Sequence, residues 1–535
     1  MPGRFTPPCA AARSCGPSTW HARAVTTRRE VLGALGAASG GALLWALGCG
    51  GARPPAPRAP QVSGEVRTWL HDAVARLAAA HPFVHALAVS RRRTTCARDV
   101  LGTGTAHQRA DGILLTVRGR DGAWRDHAIA ELSRDAVDAA ARALDAPAQP
   151  RAIDFGPAPA TPAEPPSVDD RDLAQRLDHL LDNLLAADAA LAPRLIYTAA
   201  AIDIDDAIVW SVSPGRDLEQ RLVRLRQTAV RAASSGNRPV VRAADRAWSG
   251  GLDDQPLTPD ELTAAGESAL EVLTPGRFDD GERSVVLDPS VAAIVLDAAA
   301  RGLFTADAAR RPEMARRLAG STAGTIPDAG RGGSTAPADA SRGPTGGGAG
   351  GLPFASPLLT LIDDPTVAGA YGGFAFDDEG EPAGPLTLLD AGRIAARLAT
   401  RADGAPAAGR GRRPGHLGPL AAAPSHLHLV PGTSELRQLY GDGFILEGGL
   451  DAVLDPAGDR IRVACARARE LVAGNTTGRL YADVELVASL PALLSAVDAI
   501  ASSPSSFAPP GPLWRSISTP ALRTRAFVRA VRSRA

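Results

Sequence analysis

His426 and His428 stand one residue apart, so a strand carrying them would project both imidazoles to one side, which is how a metal site can begin. No acidic or thiol partner sits at ligand spacing beside them, and the pair alone makes no site. His71, His81, His85, His107, His127, His179 and His416 are scattered singly. The carboxylate-rich turns Asp363-Asp364 and Asp377-Asp378-Glu379 have the composition of an acid/base pair or a calcium site. Pro365 and Gly380, however, set the dihedrals of Asx turns, whose side chains bind their own backbone amides. Arg410, Arg412 and Arg413 fall in a Gly-Arg stretch that reads as a solvated loop, with contact to a peptide's carboxylates as the alternative. Cys96 and Cys465 lie far apart without CxxC spacing, so neither a disulfide framework nor a thiolate metal site is indicated, and both read as half-buried small residues. The chain contains no lysine, which excludes a phosphate-binding P-loop, and no Gly-x-Ser-x-Gly, which leaves a nucleophile elbow unsupported. Gly346-x-Gly348-x-x-Gly351 matches a dinucleotide fingerprint in form only, because it sits in low-complexity sequence without a strand before it or a helix after it.

The elements that must position these residues follow from patterning over 535 residues, 45% of them apolar, enough for two or three domains. Basic and acidic residues balance at 58 each, which leaves no footprint for nucleic acid or anionic lipid. At the N-terminus, Arg28 and Arg29 precede the apolar run Val31 to Leu47, the layout of a twin-arginine export signal. That run is shorter than the roughly 20 residues of a membrane span. It ends in Ala46-Leu47-Gly48-Cys49, the form of a lipobox in which Cys49 is lipidated, a plain cleaved signal or short anchor being the alternative. The expected organisation is therefore a signal over 1–49, a tether over 50–60, a first unit over 61–146, a central unit over 167–283 and a last unit over 284–535. A Pro-rich break from Pro147 to Pro166 separates the first two, and a Gly/Ser/Ala/Pro insert over 320–351 interrupts the last. Helices are expected from Val62 to Ala80, Asp135 to Leu144, around Leu173 to Leu184, Asp217 to Ala233 and Pro259 to Leu273. Strands are expected at Phe83 to Ser90, Gly112 to Arg118, Leu195 to Thr198 and Ala207 to Val212, and antiparallel sheet from Leu358 onward.

From Leu358 to Pro382 a strand ends in Asp363-Asp364-Pro365, a Gly372-Gly373-Phe374 stretch follows, and Asp377-Asp378-Glu379-Gly380-x-Pro382 closes the segment. Leu386 to Ile394, Gly409 to Arg413, Pro431-Gly432, Glu447-Gly448-Gly449-Leu450-Asp451 and Glu470 to Gly474 continue in order. Together these resemble the C-terminal domain of the TldD/PmbA metallopeptidase family, once called modulators of DNA gyrase. Ile113 to Trp124 and the helix after it resemble that family's N-terminal domain. The resemblance implies an α+β fold, an N-terminal α/β-type domain plus an antiparallel-sheet-rich C-terminal domain, pairing into dimers around a cavity where extended peptides are cut.

In active members a helix after an Asp-Pro-Ser start carries His-Glu-x-x-x-His, and the two histidines with a C-terminal cysteine hold zinc while the glutamate acts as general base. Here the Asp288-Pro289-Ser290 start leads to Asp297, Ala298 and Gly302 at those three positions. The C-terminal stretch Ser502 to Pro512 carries no cysteine. The resemblance thus implies a degenerate metal centre, with no bound zinc or other cofactor. The chain is expected to be an inert subunit or peptide-binding partner in a proteolytic assembly, pairing with itself or with a paralogue and touching the membrane only through its N-terminal anchor in the periplasm or cell envelope. Activity through a composite site with a paralogue, and a purely structural envelope lipoprotein, are the alternatives.

Overall fold

The computed structural model describes residues 64–99, 102–145, 152–157, 170–186, 191, 194–235, 238–271, 278–310, 354–403, 409–415, 418–455 and 460–531. Arg28, Arg29, Cys49, the 50–60 tether, most of the Pro-rich break, the 320–351 insert and His416 lie outside the described residues.

Helix α1 (Gly64–Leu77) buries Val66, Leu70, Val74 and Leu77, the positions its helical period singles out. Strands β1 (Phe83–Asp99), β2 (Gly102–Arg118) and β3 (Trp124–Ile129) form an antiparallel meander. Helix α2 (Arg134–Ala143) begins at Ser133, whose hydroxyl accepts the Ala136 N–H. Helix α3 (Asp170–Ala186) buries Leu177, Leu181 and Leu184. Strands β4 (Tyr197–Ser213), β5 (Arg216–Ser235) and β6 (Arg238–Ser249) follow, then α4 (Pro259–Leu270), started by a capping box between Thr258 and Glu261.

The six strands make one antiparallel sheet in the order β3-β2-β1-β4-β5-β6. The first and central units therefore share a sheet, since β1 hydrogen-bonds to β2 on one side and to β4 on the other. The expected helix from Asp217 to Ala233 is instead strand β5. Its Leu, Arg and Gln residues favour helix in isolation, but an unbroken register from Arg216 opposite Ser213 to Ala232 opposite Tyr197 outweighs that preference. One face of the sheet packs Val84, Ala86, Ala88, Trp210 and Val212 against α1 and α2. The other face presents Leu87, Val89, Leu114 and Val209, which pack on Phe376 from the C-terminal unit.

That unit opens with β7 (Gly281–Leu287), α5 (Pro289–Gly302) and α6 (Ala306–Arg310). Short strands β8 (Leu361–Asp363), β9 (Leu386–Asp390), β10 (Arg393–Ile394), β11 (Gly411–Arg412), β12 (Ala421–Ala422) and β13 (His426–Leu429) come next. Long strands β14 (Gly443–Leu454), β15 (Arg460–Val472) and β16 (Asn475–Ser489) lead to α7 (Leu490–Ser495), β17 (Ala499–Ile500), β18 (Ser505–Phe507), β19 (Ser516–Thr519) and β20 (Leu522–Ala530). One sheet runs β10-β9-β8-β13-β19-β18; the other runs β16-β15-β14-β7-β20-β17 and curls back on itself, since β16 also pairs with β20. Both are mainly antiparallel, with parallel pairs β13/β19 and β7/β14. Helix α5 lies in the core between them, packing Val291, Val295 and Leu296 with Leu427, Leu446, Val463 and Ile517. The fold is α+β. No helix among the described residues is long and apolar enough to cross a membrane.

The two halves meet tightly at Gly380, which has φ +72° and whose added Cβ would lie 2.3 Å from Ser211 Oγ and 3.3 Å from His85 Nε2. Gly380→Val should therefore lower stability by about 1–3 kcal/mol through overpacking and backbone strain. Calorimetry should show a lower melting midpoint, and an unchanged one would mean the turn is not seated on the sheet.

Candidate functional site

The helix that the sequence marks out is set by its first turn. Strand β7 ends at Leu287, and Asp288 caps α5 by accepting the Val291 N–H at 2.8 Å, with Pro289 at the first helical position. Asp288 Oδ2 also accepts the Gly448 N–H at 3.1 Å, and Ser290 Oγ accepts the Gly449 N–H at 2.9 Å. These bonds explain the Glu447-Gly448-Gly449 sequence: Gly448 has φ +68°, and a Cβ on Gly449 would lie 2.8 Å from the Ser290 carbonyl oxygen.

Two turns further on, Asp297 is buried at 3% exposure and faces two arginines. Arg301 donates from Nε to Oδ2 at 2.8 Å, and Arg515 Nε lies 3.1 Å from Oδ1, at ion-pair distance but outside hydrogen-bond geometry. Burial lowers the pKa of Arg515 and Asp297 opposes that fall. Ala298 is buried, and a Cβ on Gly302 would meet Leu454 Cδ2 at 1.9 Å. The C-terminal stretch does reach this helix, since β18 and β19 both contact α5, and it contributes a guanidinium there. These residues do not fit a catalytic zinc: the one carboxylate is engaged by two cations, Leu454 fills the space at Gly302, and among the described residues neither imidazole nor thiolate joins them. Among the described residues no group of three His, Cys, Asp or Glu side chains converges on a common point.

The remaining candidates are dispersed. His426 is buried on β13 with Nδ1 2.9 Å from Ser516 Oγ, and burial lowers its pKa to about 4; His428 is half-buried on the same strand. Cys96 and Cys465 are buried and unbridged, and burial pushes the Cys465 thiol up. Asp364 accepts the Thr366 N–H at 2.9 Å, an Asx turn. Asp377 Oδ1 accepts the N–H groups of Glu379 and Glu381, both at 2.9 Å, while its Oδ2 accepts that of Gly411 at 2.7 Å. The Gly-Arg stretch is not a solvated loop: Arg410 is fully buried, and Arg412 and Arg413 are each 5% exposed. Arg410 ion-pairs with the equally buried Asp363 and donates to the carbonyls of Asp363, Gly384 and Gly409, so guanidinium donors saturate backbone that a loop would leave to water. Arg515 escaped the sequence reading, although it is the one charged residue between Ser502 and Pro520, a signal that was available.

The fold is α+β, with this helix in the core of its C-terminal unit. Residues 341–529 match the PmbA/TldA metallopeptidase C-terminal domain. The fold is similar to that of a proposed modulator of DNA gyrase from Thermotoga maritima, with TM-score 0.63 and 14% identity over 87% of this chain and 99% of that one. TldE from Thermococcus kodakarensis is similar with TM-score 0.60 and 14% identity over 86% of this chain and 100% of that one. A proposed modulator of DNA gyrase from Bacteroides thetaiotaomicron gives TM-score 0.61 and 14% identity over 88% and 100%. No curated protein matches the chain. Residues 341–529 thus belong to the C-terminal domain class of the TldD/PmbA family, on a fold shared with these solved structures along most of the chain.

Two predictions follow from the charges. Asp297→Ala would leave Arg515 buried without its acid and should cost about 3–5 kcal/mol, read as a lower urea midpoint; an unchanged midpoint would refute the clamp. Burial pushes Asp377 and Glu379 up to about 7, against the N–H groups that favour their ionised forms. A carboxylate raised on folding contributes stability below its ordinary range that is lost as pH rises through about 7. His85, lowered by burial to about 3, and His426 act oppositely, losing stability as pH falls below their ordinary value. The carboxylate share is therefore read as a difference: Glu379→Gln should gain stability relative to the parent between pH 5 and pH 8, and a constant difference would contradict the assignment.

Proposed function

We propose that the chain is a non-hydrolytic member of the TldD/PmbA family, the inert half of a dimer formed with itself or with a paralogue bearing an intact His-Glu-x-x-x-His helix, and that it holds unfolded peptide for that assembly. The observation that supports this reading is the state of α5: Asp297 lies between Arg301 and Arg515, Ala298 offers no base, and Leu454 fills the space at Gly302. Amide hydrolysis of the family's kind needs a metal-bound water and a carboxylate to take its proton. The helix offers neither imidazoles to hold such a metal nor an unengaged carboxylate to take the proton. The proposal extends to location: export by the twin-arginine route through Arg28 and Arg29, with a lipid on Cys49 holding the folded body in the cell envelope.

Purified chain should carry far less than one zinc per molecule by atomic absorption and should not cleave unfolded casein in a chelator-sensitive manner. Stoichiometric zinc together with chelator-sensitive cleavage would overturn the reading. Mixing with an active paralogue should shift both into a common species in size-exclusion chromatography without adding cleavage beyond that of the paralogue alone; new cleavage would favour a composite site instead.

A further inference from the structure

Between the C-terminal unit and the open face of the first sheet lies a cavity of about 30 Å3 whose wall includes four arginines. Arg91 and Arg224 come from the sheet, and Arg412 and Arg413 from β11 and the residue after it. Strand alternation puts the first two there. Leu87, Val89 and Arg91 share one face of β1, Gln220, Leu222 and Arg224 share one face of β5, and each row ends in a cation in the cavity wall. The Trp514 indole lies against both sheet arginines, whose guanidinium carbons stand 4.1 Å and 4.9 Å from its ring centre.

The donors of these cations are only partly used. Arg224 donates from Nε to the Tyr371 carbonyl and from Nη2 to that of Gly373, while Nη1 donates to nothing. Arg412 Nη2 reaches the Trp514 carbonyl at 3.4 Å, and its Nη1 has no acceptor. Arg413 is held by the Gly418 carbonyl and Asp126, and its Nε has no acceptor. Arg91 Nε is likewise unmatched. Arg224, Arg412 and Arg413 are 2%, 5% and 5% exposed, so bulk water does not serve these groups. The nearest acid on the sheet, Asp205, stands 3.4 Å from Arg91 and 3.8 Å from Arg224 and makes no hydrogen bond to either. The two acids in the wall are committed elsewhere: Asp377 to the N–H groups of Glu379, Glu381 and Gly411, and Asp378 to that of Arg413. Burial, with the like charges of Arg412 and Arg91 beside it, lowers the pKa of Arg224 to about 10.

We propose that this cavity binds a carboxylate group, its oxygens accepting from the unmatched donors of Arg91, Arg224, Arg412 and Arg413. A carboxylate supplies about four lone-pair directions in a plane, the match for guanidinium donors, and each pairing would relieve a buried unpaired donor. The cavity is small enough to admit a group of a few atoms and to exclude a nucleotide. The source of the carboxylate is either a free small acid or the C-terminus or acidic side chain of a peptide. The peptide source rests on the peptide-holding reading above; the site itself does not.

The test uses the folded chain, with sodium acetate titrated against sodium chloride at constant ionic strength, followed by tryptophan fluorescence and melting midpoint. Acetate should give a saturable rise in midpoint and a fluorescence change beyond that of chloride. Arg91→Gln, a change at a partly exposed side chain, should weaken binding at least tenfold, while Trp514→Phe should remove the fluorescence change and keep the midpoint response. In a second arm, N-acetyl-trialanine as the free acid is compared with its amide. Tighter binding of the acid than of acetate, with no binding of the amide, assigns the site to peptides. Equal binding of acetate and peptide acid assigns it to free acids, which removes this support for peptide holding while leaving the site standing. The absence of any acetate response beyond chloride, or an undiminished response in folded Arg91→Gln, overturns the proposal.

Discussion

The ion pair between Asp363 and Arg410, both wholly buried, is the constraint from which the arrangement of the C-terminal unit follows. Removing two charges from water costs several kcal/mol for each, and mutual attraction offsets that only where every remaining donor and acceptor is satisfied. Arg410 meets three carbonyls, and Asp363 accepts from the backbone and hydroxyl of Ser425. The pair thereby fixes the end of β8, the chain at Gly384, the start of β11 and the approach to β13. With β11 placed, the Gly411 N–H meets Asp377, and the Asp377 turn carries Gly380 onto Ser211 and His85 of the first sheet. A single buried pair in one domain thus reaches the packing between the two halves of the molecule.

A second consequence concerns α5. Asp297 is buried in the middle of the helix, and its charge is already answered by Arg301 and Arg515. A divalent ion placed beside that carboxylate would face two guanidiniums at close range, and in a partly dry interior such repulsion amounts to several kcal/mol. The charges are therefore coupled. Asp297 without arginines would be a buried lone charge, and Arg515 without the aspartate would be a buried cation; each makes the other tolerable. Leu454, seated against Gly302, fills the space beside the next turn with apolar packing.

The local elements were legible where periodicity and capping agreed. Helix α1 buries the four positions its spacing marks, and α4 starts at the Thr258 box. The turns at Asp364 and Asp377 bind backbone amides, as their Pro and Gly neighbours indicate. What failed was long-range. Strand β5 carries helix-favouring side chains, and only its pairing with β4 and β6 makes it strand, a fact absent from any window of sequence. The polar second half of β1, from Arg91 to Asp99, escaped for the same reason, because Arg91 and Arg93 find their partners in Asp205 and Asp203 of β4. The Gly-Arg stretch misled through composition, since glycine and arginine together suggest solvent until the buried carbonyls they serve are known.

Composition, which by itself indicates no function, does bear on how this interior is built. All 58 basic residues are arginine. An ammonium group loses its proton readily when buried, whereas a guanidinium keeps its charge and offers five donors in a fixed plane. Arg224, Arg231, Arg410, Arg412 and Arg413 could not be replaced by lysine at their depth without leaving carbonyls or carboxylates unanswered. Buried cations can therefore serve as structural crosslinks here, as Arg515 does at Asp297, and Arg224, Arg412 and Arg413 converge at the cavity beside Trp514 with donors to spare.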